Sequence, residues 1–274
     1  MEWMKRRLGI LDAMALGSAV VGGVFVYPIA TVSAQEMTAT GTPSISVADP
    51  DADGDGIPDP WEALFKTDPA NADTDGDGFT DAVEVRNAFS PLDRRPVSGN
   101  YADTDRDGLD DRLEWLFKTD PYNSDTDGDG KSDGQEIAAG FSPASAATST
   151  LEKRLRVVLS TQRIERHLSG VVLDRFAISS GLPKTPTPVG EFKVLNKNRR
   201  AWSKSAKLWM PWWMGIDAPG YGLHELPEWP GGLKEGAAHL GRMASHGCVR
   251  MGEGVAKMVY DWTPVGTPVS IVKK

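Results

Sequence analysis

Four acidic segments repeat along the first half of the chain, and they restrict its fold more than any other feature. They run Asp51-Ala-Asp53-Gly-Asp55-Gly, Asp73-Thr-Asp75-Gly-Asp77-Gly, Asp103-Thr-Asp105-Arg-Asp107-Gly and Asp125-Thr-Asp127-Gly-Asp129-Gly. Each continues to an acid at loop position nine (Asp59, Asp81, Asp111, Asp133) and to a glutamate at position twelve (Glu62, Glu84, Glu114, Glu136). The first and third segments start 52 residues apart, as do the second and fourth, and Leu-Phe-Lys-Thr-Asp-Pro occurs at both 64–69 and 116–121. A module of two loops has been duplicated.

The spacing has a chemical reason. A hard divalent cation of the size of Ca2+ seeks six to eight oxygens. Acids at positions one, three and five supply the first of them, and a glycine at six allows the sharp turn. Position seven offers a backbone carbonyl, position nine helps directly or through water, and the glutamate at twelve can bind through both oxygens. Carboxylates packed this closely repel one another without a cation. A solvated acidic linker would be equally rich in charge, but it would not keep the register of four loops. Nor would it carry Trp61, Leu64, Phe65, Leu116 and Phe117 between them.

Charge divides the chain in two. Residues 49–136 hold 25 acidic and 8 basic residues, a net of −17, whereas residues 151–274 hold 10 acidic and 19 basic, a net of +9. Such opposite halves imply different tasks. The N-terminus opens with Lys5-Arg6-Arg7, continues in a mostly apolar run from Leu8 to Ala34, and reaches Val32-Ser33-Ala34 before Gln35. That order fits a secretory signal with a small-residue cleavage site. The run is also long enough to remain as a membrane anchor. Either way an extracytoplasmic location, in the periplasm or cell wall, is expected. One cysteine in 274 residues excludes an intramolecular disulfide, so stability must come from packing and bound metal. Residues 35–48 and 143–150, rich in Ser, Thr, Ala and Pro, read as linkers. The expected organisation is a signal or anchor helix at 1–34, a linker at 35–48, the repeat array at 49–142, a linker at 143–150 and a second domain at 151–274.

The basic half reads as mainly β with few helices. Leu155–Leu159, Gln162–Leu168, Val171–Ile178, Glu191–Leu195 and Pro268–Val272 carry strand signals, with a hairpin turn at Ser169-Gly170. A helix is expected over Gly252–Trp262, with Val255, Met258, Val259 and Trp262 on one face. The one thiol, Cys248, stands in Ser245-His246-Gly247-Cys248-Val249-Arg250. A free thiol is a poor nucleophile at neutral pH until a base or cation assists it, and histidine is the natural partner. His246 is near in sequence, and His224 could be brought near by a sheet.

This half resembles the catalytic domains of L,D-transpeptidases of the YkuD type. The resemblance rests on Ser179–Phe192, on Met210-Pro-Trp-Trp-Met214, on Tyr221-Gly-Leu-His224, on Ser245–Arg250 and on Gly266-Thr-Pro-Val269. It implies a β-sandwich. It also implies Cys248 as nucleophile, His224 as base with the Glu225 carbonyl orienting its ring, and His246 as a second polar partner. Gly247 and Cys248 would offer backbone N–H groups to an oxyanion, Ser245 would support the histidines, and Arg250 would hold a substrate carboxylate or brace the loop. Tyr221, Met210, Trp212 and Trp213 are candidate walls of the substrate groove. The acidic half is similar to bacterial thrombospondin type 3 calcium repeats and implies four structural Ca2+ sites in a stiff stalk.

The implied reaction is acyl transfer between peptidoglycan stem peptides, giving 3→3 cross-links through a thioester, with no cofactor for catalysis. Water as acceptor would make the enzyme a carboxypeptidase, and a protein acceptor would make it a wall-attachment enzyme. A calcium-dependent wall scaffold with an inactive enzyme domain is the alternative from another class. Peptidoglycan is the expected partner, a membrane a further one if the N-terminal segment stays, and nucleic acid is not expected.

Overall fold

A computed structural model describes residues 49–146 and 149–274. The expected signal or anchor segment 1–34 and the linker 35–48 lie outside the described residues. Among the described residues no helix is long and apolar enough to cross a membrane.

Each acidic loop runs straight into a short helix: α1 (Asp59–Phe65), α2 (Asp81–Arg86), α3 (Asp111–Phe117) and α4 (Asp133–Ala139). The side chains of Thr80, Asp110 and Ser132 accept the Val83, Leu113 and Gln135 N–H groups and so cap the last three. The duplicated Leu-Phe-Lys-Thr gives duplicated geometry. Lys66 and Lys118 both end their helices in the left-handed region, at φ of 66° and 67°. The following Thr67 and Thr119 N–H groups then return to the Glu62 and Glu114 carbonyls. The two loops of a module are also tied to each other. Asp55 accepts the Ala82 N–H at 2.8 Å, and 52 residues on Asp107 accepts the Gly134 N–H at 2.6 Å. Trp61, Phe65, Ala82, Val85 and Trp115 form a core of their own with Ile57.

The basic half holds eight strands, β1 (Lys153–Val158), β2 (Arg163–Leu168), β3 (Val171–Ser179), β4 (Gly190–Ser203), β5 (Leu208–Ile216), β6 (Gly222–Glu225), β7 (Val249–Met251) and β8 (Pro268–Val272), with helix α5 (Val255–Trp262) before the last. The mainly β fold with few helices is as expected. The two sheets share β3 and β4, which run from one into the other and close the sandwich into a barrel of order β1-β2-β3-β7-β6-β5-β4-β8. Two pairings are parallel, β1 with β8 and β6 with β7. Alternating apolar residues fill the interior: Leu155, Val157, Ile164, Ile178, Val194, Met214, Leu223, Val249, Val269 and Ile271.

The two halves share a core. Leu109, Leu113 and Ile137 of the second module belong to the same buried cluster as Val259 and Trp262 of α5 and the barrel interior. Buried Arg112 donates to Val85 O at 2.7 Å, to Arg86 O at 3.3 Å and across the seam to Val172 O at 2.6 Å. It reaches the C-terminal carbonyls of α2, where the helix dipole favours a cation. Arg175 of β3 crosses in the other direction to the Asn87 carbonyl. An apolar face on so small an array finds its burial on the neighbouring barrel, because its own helices are too short to enclose it.

Candidate active site

β6 lies between β5 and β7, and all four of its residues are buried. Its parallel register with β7 sets His224 opposite Arg250. Cys248 stands in the bend immediately before β7, two residues ahead of Arg250. The thiol is half-buried, and its Sγ approaches the Gly220 carbonyl at 3.9 Å.

His224 is fully enclosed. Its Nδ1 meets the Glu225 carbonyl at 2.5 Å. A carbonyl only accepts, so Nδ1 carries the proton and Nε2 is left as the basic nitrogen. Burial pushes the imidazole pKa down to about 4 against the favourable Glu225 bond, and the nearby Arg250 charge pushes the same way. Burial raises the Cys248 pKa, opposed by a backbone hydrogen bond from Gly222 and by Arg250. The resting pair is therefore neutral thiol and neutral imidazole.

Trp213 forms one wall of this pair. Its ring centroid lies 5.9 Å from that of His224, tilted by 30°, and its Nε1 donates to Asn196 Oδ1 at 3.0 Å. The indole lies so close to Gly222 that a Cβ there would stand 2.6 Å from Trp213 Cη2. Tyr221 covers Gly247 in the same manner, 2.5 Å from where a Cβ would be, and Gly247 has φ of 118°. Only glycine suits that position.

Other expected residues fall elsewhere. Trp212 meets Tyr260 of α5 edge-on at 5.4 Å, with Lys257 Nζ 5.4 Å from its ring, so it packs a helix rather than a groove. Met210 is half-buried opposite Ala201 on β4. His246 is exposed. Ser245 does not bond the histidines. Its hydroxyl donates to the Cys248 carbonyl at 2.6 Å and accepts the Gly247 N–H at 3.0 Å. That takes the Gly247 N–H away from an oxyanion and leaves the Cys248 N–H for the role. Arg250 is braced: its Nη1 lies 2.8 Å from both oxygens of Glu235 and 3.3 Å from the Ala244 carbonyl.

Two residues escape a reading of motifs. Buried Thr187 accepts the Gly181 N–H at 2.8 Å and donates to the Gly247 carbonyl at 2.8 Å, pinning the loop before the cysteine. Its signal is a hydroxyl between Pro186 and Pro188, where the prolines fix the backbone. Glu235 sits in the long β6–β7 connection and has no local pattern to mark it.

In the acidic half, the acids at positions one, three and five of each loop bring oxygens within 4.8 Å of one another. The position-twelve glutamates are buried, and both oxygens of Glu84 and Glu114 lack any hydrogen bond, as does one oxygen each of Glu62, Glu136, Asp53, Asp75, Asp105 and Asp127. Burial first, then the neighbouring aspartates, push Glu62 up to about 7, Glu84 to about 8, Glu114 to about 9 and Asp105 to about 6. Orphaned, crowded carboxylate oxygens fit a hard cation. The position-nine acids are tied into their own loops. Asp59, Asp81, Asp111 and Asp133 accept backbone N–H groups from loop position two, and the last three also accept a threonine hydroxyl. These bonds close each loop onto its helix.

Comparison with known proteins agrees with this geometry. Residues 152–271 match the family of L,D-transpeptidase catalytic domains, and residues 51–72, 73–87 and 125–140 match the bacterial TSP3 repeat, a calcium-binding type. The unmatched loop is the third, with Arg106 at position four. The YkuD protein of Bacillus subtilis (strain 168) is 25% identical over 122 residues, 44% of this chain and 67% of its own length. An L,D-transpeptidase from Mycobacterium smegmatis is 23% identical with a TM-score of 0.40, covering 45% of this chain and 59% of its own. One from Enterococcus faecium is 28% identical with a TM-score of 0.36, covering 48% and 54%. The chain thus spans less than two thirds of the solved structures it resembles. Its residues 152–271 are similar to L,D-transpeptidase catalytic domains of the YkuD type, and they follow segments that match the bacterial TSP3 repeat.

Proposed function

We propose that the chain is a cysteine-dependent acyltransferase of the cell wall, with Cys248 as nucleophile and His224 as base. The observation that carries this is the Nδ1 contact of buried His224 with the Glu225 carbonyl, which leaves Nε2 unprotonated on a strand whose parallel neighbour β7 begins one residue after the only thiol. The substrate is a peptidoglycan stem peptide. As Sγ attacks the carbonyl carbon of its scissile amide, the thiol proton passes to Nε2. The tetrahedral oxyanion takes the Cys248 N–H. The imidazolium then protonates the departing amine of the terminal D-residue, and a thioester remains. An amine of a second stem attacks that thioester, gives its proton to Nε2 and leaves with the acyl group as a 3→3 cross-link, while the thiol is restored. Arg250, held by Glu235, places a fixed positive charge behind the sulfur.

The four acidic loops bind Ca2+ in the same reading. Asp51, Asp53, Asp55 and Glu62 would hold the first ion, with the corresponding residues of the other loops holding the rest. Bound there, the cation neutralises the crowded carboxylates and fixes each loop against its helix. The basic-then-apolar N-terminus supports an extracytoplasmic site of action. Incubation with a tetrapeptide muropeptide tests the catalytic reading: mass spectrometry is expected to find an acyl adduct on Cys248 and a cross-linked product, both absent in Cys248→Ser. Cross-linking that survives this substitution would overturn it.

A further inference from the structure

β4 and β5 form a long hairpin whose two faces are told apart by their contacts. Lys197 and Trp212 turn to α5: Lys197 Nζ donates to the Tyr260 and Thr263 carbonyls at 2.5 and 2.7 Å, and Trp212 meets the Tyr260 ring. Side chains alternate along a strand, and register partners share a face. Asn196, Asn198, Arg200 and Trp202 of β4, with Trp213 and Trp209 of β5, therefore take the other face. On that face Trp213 meets the His224 ring. The strip begins beside the candidate base and ends at the turn 204–207, with Trp209 four residues, roughly 13 Å, along β5 from Trp213.

The far end of this strip is firmly held. Trp202 and Trp209 are register partners with ring centroids 4.8 Å apart. Trp209 is covered: the Arg200 guanidinium lies 4.5 Å from its ring, and Arg200 is itself held by Glu228 at 2.7 Å. Glu228 in turn exchanges both backbone hydrogen bonds with Trp209. Trp202 rests against this assembly and is 39% exposed, so its ring is the open one. An indole fixed in place yet open to solvent is a ready contact surface. Asn196 and Asn198, both exposed, add amide groups along the strip. Lys204 and Lys207 stand in the turn beside Trp202, exposed and outside the ion pairs of the described residues.

We propose that Trp202 is a sugar-binding platform that holds the glycan strand of peptidoglycan while a stem peptide on that strand reaches Cys248. The assignment rests on the stem peptide being the substrate. A pyranose ring offers a face of C–H groups that suits an indole, and a rim of hydroxyl and acetamido groups that suits an amide such as that of Asn198. In an extended tetrapeptide stem, three residues, about 10 Å, separate the sugar from the carbonyl under attack, and the strip from Trp213 to Trp202 covers that distance. Neighbouring stems on the same strand bring carboxylates, which Lys204 and Lys207 meet with unpaired charge.

The test uses the full chain, Ca2+ present, with two donor substrates: a disaccharide-tetrapeptide and the same tetrapeptide without sugar. The unsubstituted chain is expected to show a KM about tenfold lower for the sugar-bearing donor. Trp202→Ala is expected to bring the two KM values together, Trp202→Tyr to keep part of the difference, and Leu92→Ala, exposed on the acidic half, to keep all of it. Binding is read separately, by calorimetric titration of Cys248→Ala with glycan chains stripped of their stems. Saturable binding that is lost when Trp202→Ala is added supports the platform even where neither donor is turned over, so a failure of the acyltransferase reading is told apart from a failure of this one. Thermal unfolding checks each fold, and Trp202→Leu, which keeps apolar bulk without the flat ring, serves should Trp202→Ala lose its own. Equal KM values in the unsubstituted chain with no saturable glycan binding, or a preference and binding that Trp202→Leu retains, would overturn the platform. So would a dimer in sedimentation that Trp202→Ala dissolves while stripped glycan fails to bind, which would assign the ring to self-association.

Discussion

At His224 a single buried ring sets the pH range of the chemistry. Its pKa is pushed down to about 4 by burial, from an ordinary 6.5. The base therefore stays in its working, unprotonated form far into acid. The acid limb of kcat/KM is expected near pH 4 to 5 rather than near 6.5, read from a pH–rate profile on a soluble stem peptide. Stability follows with a definite sign. Between about 6.5 and about 4 the unfolded chain binds a proton that the folded one refuses, so stability falls as pH falls through that window. His224→Ala is expected to lower turnover by roughly 10²–10⁴-fold. Thr187 acts on the same loop from behind. Thr187→Val strands the Gly181 N–H and the Gly247 carbonyl. It is expected to cost about 2 kcal/mol in denaturant unfolding and to reduce kcat with little change in the reactivity of a denatured-state thiol control.

Among the elements, the loops test how strictly backbone geometry is kept when a residue type changes. Position four is left-handed in all four loops, with φ of 75°, 72° and 74° at Gly54, Gly76 and Gly128 and 67° at Arg106. The three glycine loops each give the position-four N–H to the first aspartate, at 2.8, 2.9 and 2.9 Å. A non-glycine residue held there is strained by about 1 kcal/mol. Arg106→Gly is accordingly expected to raise the thermal midpoint, offset in part by the added freedom of the unfolded chain. The loops were legible in the sequence because ligand spacing is local, and so were β1, β2, β3, β8 and α5, whose periodicity and turn signals are local too. β5 was not. Its residues Trp209-Met-Pro-Trp-Trp read as a groove wall, since a proline and a bulky run mask the alternation, yet they pair with β4 from Leu208 to Ile216. Short β6 and β7 have almost no pattern of their own and exist because neighbours supply their hydrogen bonds. At the site, Cys248 and His224 were readable from motif, whereas the true partners of Ser245 and Arg250 depend on chain segments that only the fold brings close.

On the scale of the whole molecule, the shared core decides how metal and catalysis are linked. A repeat array joined to the barrel by a linker alone would melt on chelation while the barrel stays folded. The structure argues otherwise. Leu113 lies on α3, whose preceding loop carries Asp103, Asp105 and Asp107 and whose interior carries Glu114, so the residue that enters the barrel core is one position from a candidate ligand. Removing the cation leaves the Glu114 carboxyl buried and without a hydrogen bond beside the crowded loop aspartates, which loosens α3 and exposes the apolar surface of its neighbours on α5. A site filled at one hundred times its dissociation constant adds about 2.7 kcal/mol, or roughly 5–10 °C for a chain of this size. Chelation is therefore expected to lower the unfolding temperature of the barrel along with that of the array, and to speed hydrogen exchange in β1–β3 as well as in α3. Leu113→Ala, which opens a cavity at the seam at a cost of about 2–4 kcal/mol, is expected to separate the two halves. In that variant the array should exchange freely on chelation while the strands keep their protection. If the unsubstituted chain already behaves that way, with β1–β3 fully protected in chelator, then the seam transmits nothing and the repeats serve the barrel only as a neighbour.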